Sequence, residues 1–315
     1  MSDSPKPFHR STHVAALVTA VGILPLLFVG AGVTSKDAGM VFPDWPTSDG
    51  HFLNPPGWLS DPAKLFEHGH RWIGFIVGMS TIWAAIGMWR TGGYVRAIGI
   101  ASCLAVGIQG IAGGLRVTQV STLLALLHGI WGQICFCIAA LGALLTSRFW
   151  SANPKPISMR GGRVLRGLCI GCTFALLVQL SLGAALRHFV SDYWLVAHVL
   201  WVMPVLFSTG WAIMWVTGCS PVLPIPARIA TVAGILLVLQ LVLGGFAWLV
   251  TLAGGSWPSV MVWLIPTMHV WVGALILASF VLLTFTIFKT VSPISNRRVE
   301  LETGAASNAW LTSSN

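Results

Sequence analysis

Gln109-Gly-Ile-Ala-Gly113-Gly114-Leu-Arg116, with His128 fifteen residues after Gly113, decides the fold because it recurs. Gln179-Leu-Ser-Leu-Gly183-Ala184-Ala-Arg187 is followed at the same distance by His198, and Gln240-Leu-Val-Leu-Gly244-Gly245 leads on to His269. Gly30-Ala31-Gly32 is a reduced fourth copy, ahead of His70. Each copy closes one apolar run and each histidine opens the next. One helix–loop–helix unit is therefore present four times, the pattern of a pseudo-symmetric membrane bundle.

Around these copies, apolar runs lie near 14–33, 70–89, 97–115, 123–146, 164–186, 194–216, 229–250 and 262–288. Each is long enough to cross about 30 Å of hydrocarbon. Of 315 residues 55% are hydrophobic and 9% charged, with mean hydropathy +0.80. A water-facing surface needs roughly 25% charged residues, which excludes a soluble globular domain. The expected fold is an all-α integral membrane protein, with eight transmembrane helices in two pseudo-symmetric four-helix bundles. Residues 1–150 form the N-terminal bundle, with a long outer loop at 34–69. Residues 151–163 are a cytoplasmic linker, and 164–315 are the C-terminal bundle and its tail.

Charge sets the orientation. Lys6, Arg10, Arg90, Arg96, Arg148, Lys155, Arg160, Arg163, Arg166, Arg228, Lys289, Arg297 and Arg298 fall on one side. Lys36, Lys64, Arg71, Arg116 and Arg187 fall on the other, so the positive-inside rule places both termini in the cytoplasm. The net charge of +9 reflects this bias and not a nucleic-acid stripe, so no nucleic-acid partner is expected. The run from Val14 to Val33 is long for a signal-peptide core and reads as the first membrane helix. Cys169-Ile-Gly-Cys172 has redox-motif spacing but sits in an apolar span, where cysteines read as core.

The histidines share a depth. His70, His128 and His269 each precede Arg90, Arg148 and Lys289 by twenty residues, and His198 precedes Gly218 by twenty. That is about 30 Å of helix at about 1.5 Å per residue, so all four imidazoles are expected near the outer interface. Polar groups within a membrane are costly, usually functional and face the bundle interior. Two imidazoles on facing helices can ligate one haem iron, and four make two such sites. One histidine per helix suits closed zinc or copper sites poorly. The repeat glycines read equally as close approach to a flat macrocycle or as helix packing. Arg71, Arg116 and Arg187 flank the layer, to pair with propionates or to snorkel to the interface. Glu67, one turn before His70, reads as a general base, a stabiliser of developing positive charge, or a helix N-terminal acid. His51, His68 and His188 are expected to be solvated.

Pro43-Asp44-Trp45-Pro46, Glu67-His68-Gly69-His70-Arg71 and the three further histidines resemble the haem A synthase family over nearly the whole chain. The resemblance implies an enzyme that converts a methyl group of haem O to a formyl group by successive hydroxylation and dehydration. His198 and His269 would ligate the iron of a permanent haem b, in the C-terminal half. His70 and His128 would flank the substrate haem O in the N-terminal half, and Glu67 matches the catalytic acid. Haem O, membrane lipid, haem O synthase and an electron-transfer partner are the implied partners, at a bacterial inner membrane. Many relatives carry two cysteines around the Pro-Asp-Trp-Pro segment. Here Phe42 precedes it and Thr47-Ser48-Asp49 follows, so the chain resembles the cysteine-free members. The alternatives are a di-haem electron-transfer cytochrome b and a non-catalytic haem-binding oxidase-assembly factor.

Overall fold

The computed structural model describes residues 8–251 and 256–294; Lys6, Arg297 and Arg298 of the inner-side set lie outside the described residues, as does most of the expected tail. Among the described residues, eight helices are long and apolar enough to cross a membrane: α1 (Arg10–Ser35), α2 (Pro62–Thr91), α3 (Gly93–Thr118), α4 (Thr122–Leu145), α6 (Gly162–Phe189), α7 (Asp192–Gly218), α8 (Pro224–Thr251) and α9 (Ser259–Thr290). A single turn, α5 (Arg148–Ser151), follows α4. The exterior is apolar, with Phe207 and Met214 of α7 exposed by 75% and 69%. Such a surface is stable only against lipid. The protein is a multi-pass, all-α membrane protein.

Local chemistry sets the helix ends. The Asp61 carboxylate accepts from the Ala63 and Lys64 N–H groups ahead of Pro62, which suits the first turn of α2. Ser121 and Ser191 cap α4 and α7 in the same way. Gly92, at φ 73°, turns the chain from α2 into α3 within a left-handed step that other residues rarely adopt.

Helices α1–α4 pack in a ring, α1 on α2, α2 on α3, α3 on α4 and α4 on α1; α6–α9 close a second ring in the same order. The rings meet where α9 touches α1 and α4, and where α4 touches α6. The linker is more than a connection. Its Ile157–Met159 strand, β1, pairs in parallel with β2 (Val291–Pro293) just beyond α9. Arg166 fastens this corner, donating to the carbonyls of Phe288 and Val291.

The histidines lie deeper than at the helix mouths. His128 and His198 are six residues into α4 and α7, His70 eight into α2, and His269 ten into α9. The helices overrun their apolar spans at this end, leaving the imidazoles about 9–15 Å along the axis at about 1.5 Å per residue.

Candidate functional site: two imidazole pairs

The helix order of each ring brings its two histidines face to face. The His70 and His128 ring centres are 6.4 Å apart with planes at 72°, and those of His198 and His269 are 6.3 Å apart at 79°. Each imidazole is seated on a repeat glycine of the preceding helix. A Cβ on Gly30 would stand 2.7 Å from His70 Cε1; on Gly113, 2.9 Å from His128; on Gly183, 2.8 Å from His198; and on Gly244, 3.0 Å from His269. The glycines thus let an imidazole edge of the next helix touch backbone, a specific form of the close helix approach read from the sequence. Trp131 and Trp201, each three residues after a histidine, anchor the same units by donating to Ala105 and Ala175 carbonyls, both at 2.9 Å. Sequence analysis missed these tryptophans, although His-x-x-Trp is visible in both copies.

The paired rings fit a metal held between them. Two imidazole nitrogens about 2.0–2.1 Å from one metal, with ring centres about 1.1 Å behind them, give centres about 6.2–6.4 Å apart. The Nδ1 atoms of His70, His128 and His269 are also buried without a hydrogen-bond partner, so they have unspent polar capacity. Such groups suit axial ligation of a haem.

The arginines differ from one another. Arg116 acts electrostatically on both His70 and His128, and its buried Nε has no partner. Arg187 acts on His269, but its Nη2 already donates to the Ala31 carbonyl and Ser35 Oγ, both at 2.6 Å, tying the second ring to α1. Arg71 is committed to the first loop. It donates to the Asp44 carbonyl at 2.7 Å, to the Thr47 carbonyl and to Ser48 Oγ, and pairs with Glu67 at 2.7 Å.

Glu67 is buried at the loop–helix junction. Its Oε2 accepts from the Val41 and Phe42 N–H groups at 2.8 and 3.2 Å, and its Oε1 from Arg71. His68, expected from sequence to be solvated, is instead buried at 2% exposure. Its Nδ1 lies 2.9 Å from Ser48 Oγ, and Trp72 donates to its Nε2 at 3.1 Å. Two positions from His70 is about 200° round a helix, so His68 faces the loop while His70 faces the bundle. His51 is exposed, and His188 is half-buried at the end of α6.

The loop between α1 and α2, residues 36–61, covers the first pair's end of the molecule. Trp45 lies directly on Gly114, and Gly39 against the Arg116 guanidinium. Asp44 organises the tip through donors from Thr47, Asp49 and Gly50. Slight burial pushes the Asp44 carboxyl up, but these hydrogen bonds outweigh it and hold it at about 2.

No family model matches the sequence. The chain is 28% identical over 188 residues to a haem A synthase of Shouchella clausii, covering 57% of this chain and 60% of that protein. It is 34% identical over 161 residues to one from Maricaulis maris, covering 46% and 45%. A protohaem IX farnesyltransferase of Haloarcula marismortui is 30% identical over 128 residues, covering 38% and 27%. The match thus spans about three-fifths of the length of the first of these relatives. Further haem A synthases are 26% and 29% identical over more than half of the chain, so the chain is similar to several members of that family.

Proposed function

We propose that this chain is a haem-containing membrane oxidoreductase that converts the methyl group of haem O to the formyl group of haem A by successive hydroxylation and dehydration. The observation that carries this reading is the pair of imidazole pairs, one per ring, each spaced for a bound iron. Only the first pair lies in the ring that carries the long loop. We assign His198 and His269 to a resident haem b in the C-terminal half, and His70 and His128 to the substrate haem in the N-terminal half. When bound, haem b supplies a one-electron redox centre. Arg116, with its unpaired Nε, suits a propionate of the substrate. Arg187 and Arg71 serve mainly as braces, since their guanidinium groups already hold α1 and the loop.

Glu67 acts beside the substrate pair. Three donors already engage its carboxylate, which supports a positioning or electrostatic part over proton abstraction. The resemblance to a protein named for haem farnesylation supports a farnesylated haem as substrate, and haem O synthase as a partner that supplies it. An electron-transfer partner completes the set of proposed partners. The location we propose is a bacterial inner membrane, and the bias of basic residues supports an orientation with both termini cytoplasmic.

The test is co-expression with a haem O-producing enzyme, followed by chromatography and mass analysis of extracted haems. Haem A or its hydroxylated precursor is expected only when this chain is present. Haem b with unchanged haem O would overturn the proposal in favour of a di-haem electron-transfer protein or a haem-binding assembly factor. Glu67→Gln is expected to lower product at least about tenfold, the scale of one lost charge-assisted contact, while haem b is retained. Unchanged product would remove Glu67 from the reaction.

A further inference from the structure

Three of the four imidazoles are held by a second side chain that the fourth lacks. Gln109 Nε2 donates to the His128 carbonyl at 3.0 Å and lies 3.2 Å from the ring Nε2. Gln179 Nε2 donates to the His198 carbonyl at 3.1 Å and lies 3.2 Å from its Nδ1. Gln240 Nε2 lies 3.4 Å from His269 Nε2. In two of these units a glycine four residues beyond the histidine makes room for the amide. A Cβ on Gly132 would stand 2.9 Å from Gln109 Nε2, and one on Gly273 3.2 Å from Gln240 Nε2.

Helix α2 keeps that glycine, Gly74, but what faces it is Leu26 Cδ1 at 3.8 Å. Leu26 stands four residues before Gly30, as the glutamines stand four before Gly113, Gly183 and Gly244. The places a Cβ would take at Gly69 and Gly78, on either side of His70, touch nothing within 4 Å. His70 therefore has the glycine seat and, like the other three rings, a contact with the backbone of the residue four before that glycine, but not the amide clamp.

We infer that the glutamine amides set how firmly each half keeps its haem, and that Leu26, in place of one of them, leaves the first half with the looser hold. The inference rests on the haem-binding reading of the two pairs. An amide bonded to the histidine's own peptide and lying on its ring fixes the ring before a haem arrives. Outer partners of this kind are worth about 10–100-fold in metal affinity. The second pair, clamped on both sides, keeps its haem; the first, clamped only at His128, exchanges it. A site that must take up one haem and release another needs this looseness.

The full-length protein, loaded with haem b, is mixed with excess apomyoglobin and haem release is followed by absorbance. Two phases are expected, the fast one lost in His70→Ala and the slow one in His198→Ala. Leu26→Gln should slow the fast phase about tenfold or more, and Gln179→Leu should speed the slow phase by as much. Leu26→Met, which adds no amide, should change neither. The phase from the unmutated half reports folding in each variant; if Gln179→Leu does not fold, Leu26→Gln decides alone. A single phase in the wild type, or phases unmoved by these changes, would overturn the inference and leave the haem sites standing. Absence of haem uptake by the wild type, or uptake indifferent to the histidines, would instead overturn the site reading, and the inference with it.

Discussion

The two rings share a scaffold and differ in what is added to it. Between α6 and α7 the chain turns in two residues, Val190 and Ser191, whereas the corresponding step between α1 and α2 takes residues 36–61. That longer step folds over its ring through Trp45 on Gly114, and is fastened by Glu67 and Arg71. In return the first ring gives up one glutamine, at Leu26, while keeping every glycine seat. Duplication has preserved the contacts that place the imidazoles, and divergence has acted on the contacts that enclose and restrain them. Two similar sites on one chain can thus take different work without any change in ligand type.

The sharpest way to break this comparison is at the ligands. His198→Ala or His269→Ala should abolish the low-spin haem b spectrum of the protein as purified, before any haem is added to fill the first pair, and His70→Ala should retain it. A normal spectrum in both second-ring variants would refute the division of labour. Smaller effects are expected at the seats. Gly183→Ala forces a Cβ to within 2.8 Å of His198 Cε1, a close contact that costs about 1–3 kcal/mol when nothing can yield. Thermal unfolding with a haem titration should show lower stability and reduced occupancy of the second site. Gly113→Ala should do the same in the first ring. Gly110→Ala, whose Cβ would meet nothing within 4 Å, should do neither. The smallest effect is expected in the loop. Asp44 is held at about 2 against an ordinary 3.8, so its bonds to Thr47, Asp49 and Gly50 are intact above pH 3.8 and fail as the pH falls through about 2. Amide exchange at Asp49 and Gly50 should therefore be flat from neutral pH to about 4, once corrected for the intrinsic pH dependence. Asp44→Asn should raise it throughout that range.

The spans, the fourfold unit and the pairing of histidines were legible because a membrane imposes length and apolarity on every crossing, and duplication leaves fixed spacings. What was not legible depends on contacts between distant parts of the chain. Gly183 touching His198 through its ring edge, or Gln179 reaching the His198 carbonyl, requires the relative rotation of two helices, which hydropathy does not encode. His68 was misplaced because its surroundings are an irregular loop, whose path follows from Asp44 and Glu67 accepting backbone N–H groups and not from any periodicity. The loop's hold on Arg71 was hidden for the same reason.

The parallel pairing of Ile157–Met159 with Val291–Pro293 has a consequence in time. The first strand leaves the ribosome after four crossings, but its partner does not exist until α9 has been made. Through that interval the edge of the first strand is unpaired, and the corner that Arg166 fastens to Phe288 and Val291 stays open. Closure of this clasp can therefore come only late in biogenesis, after α9 has been delivered.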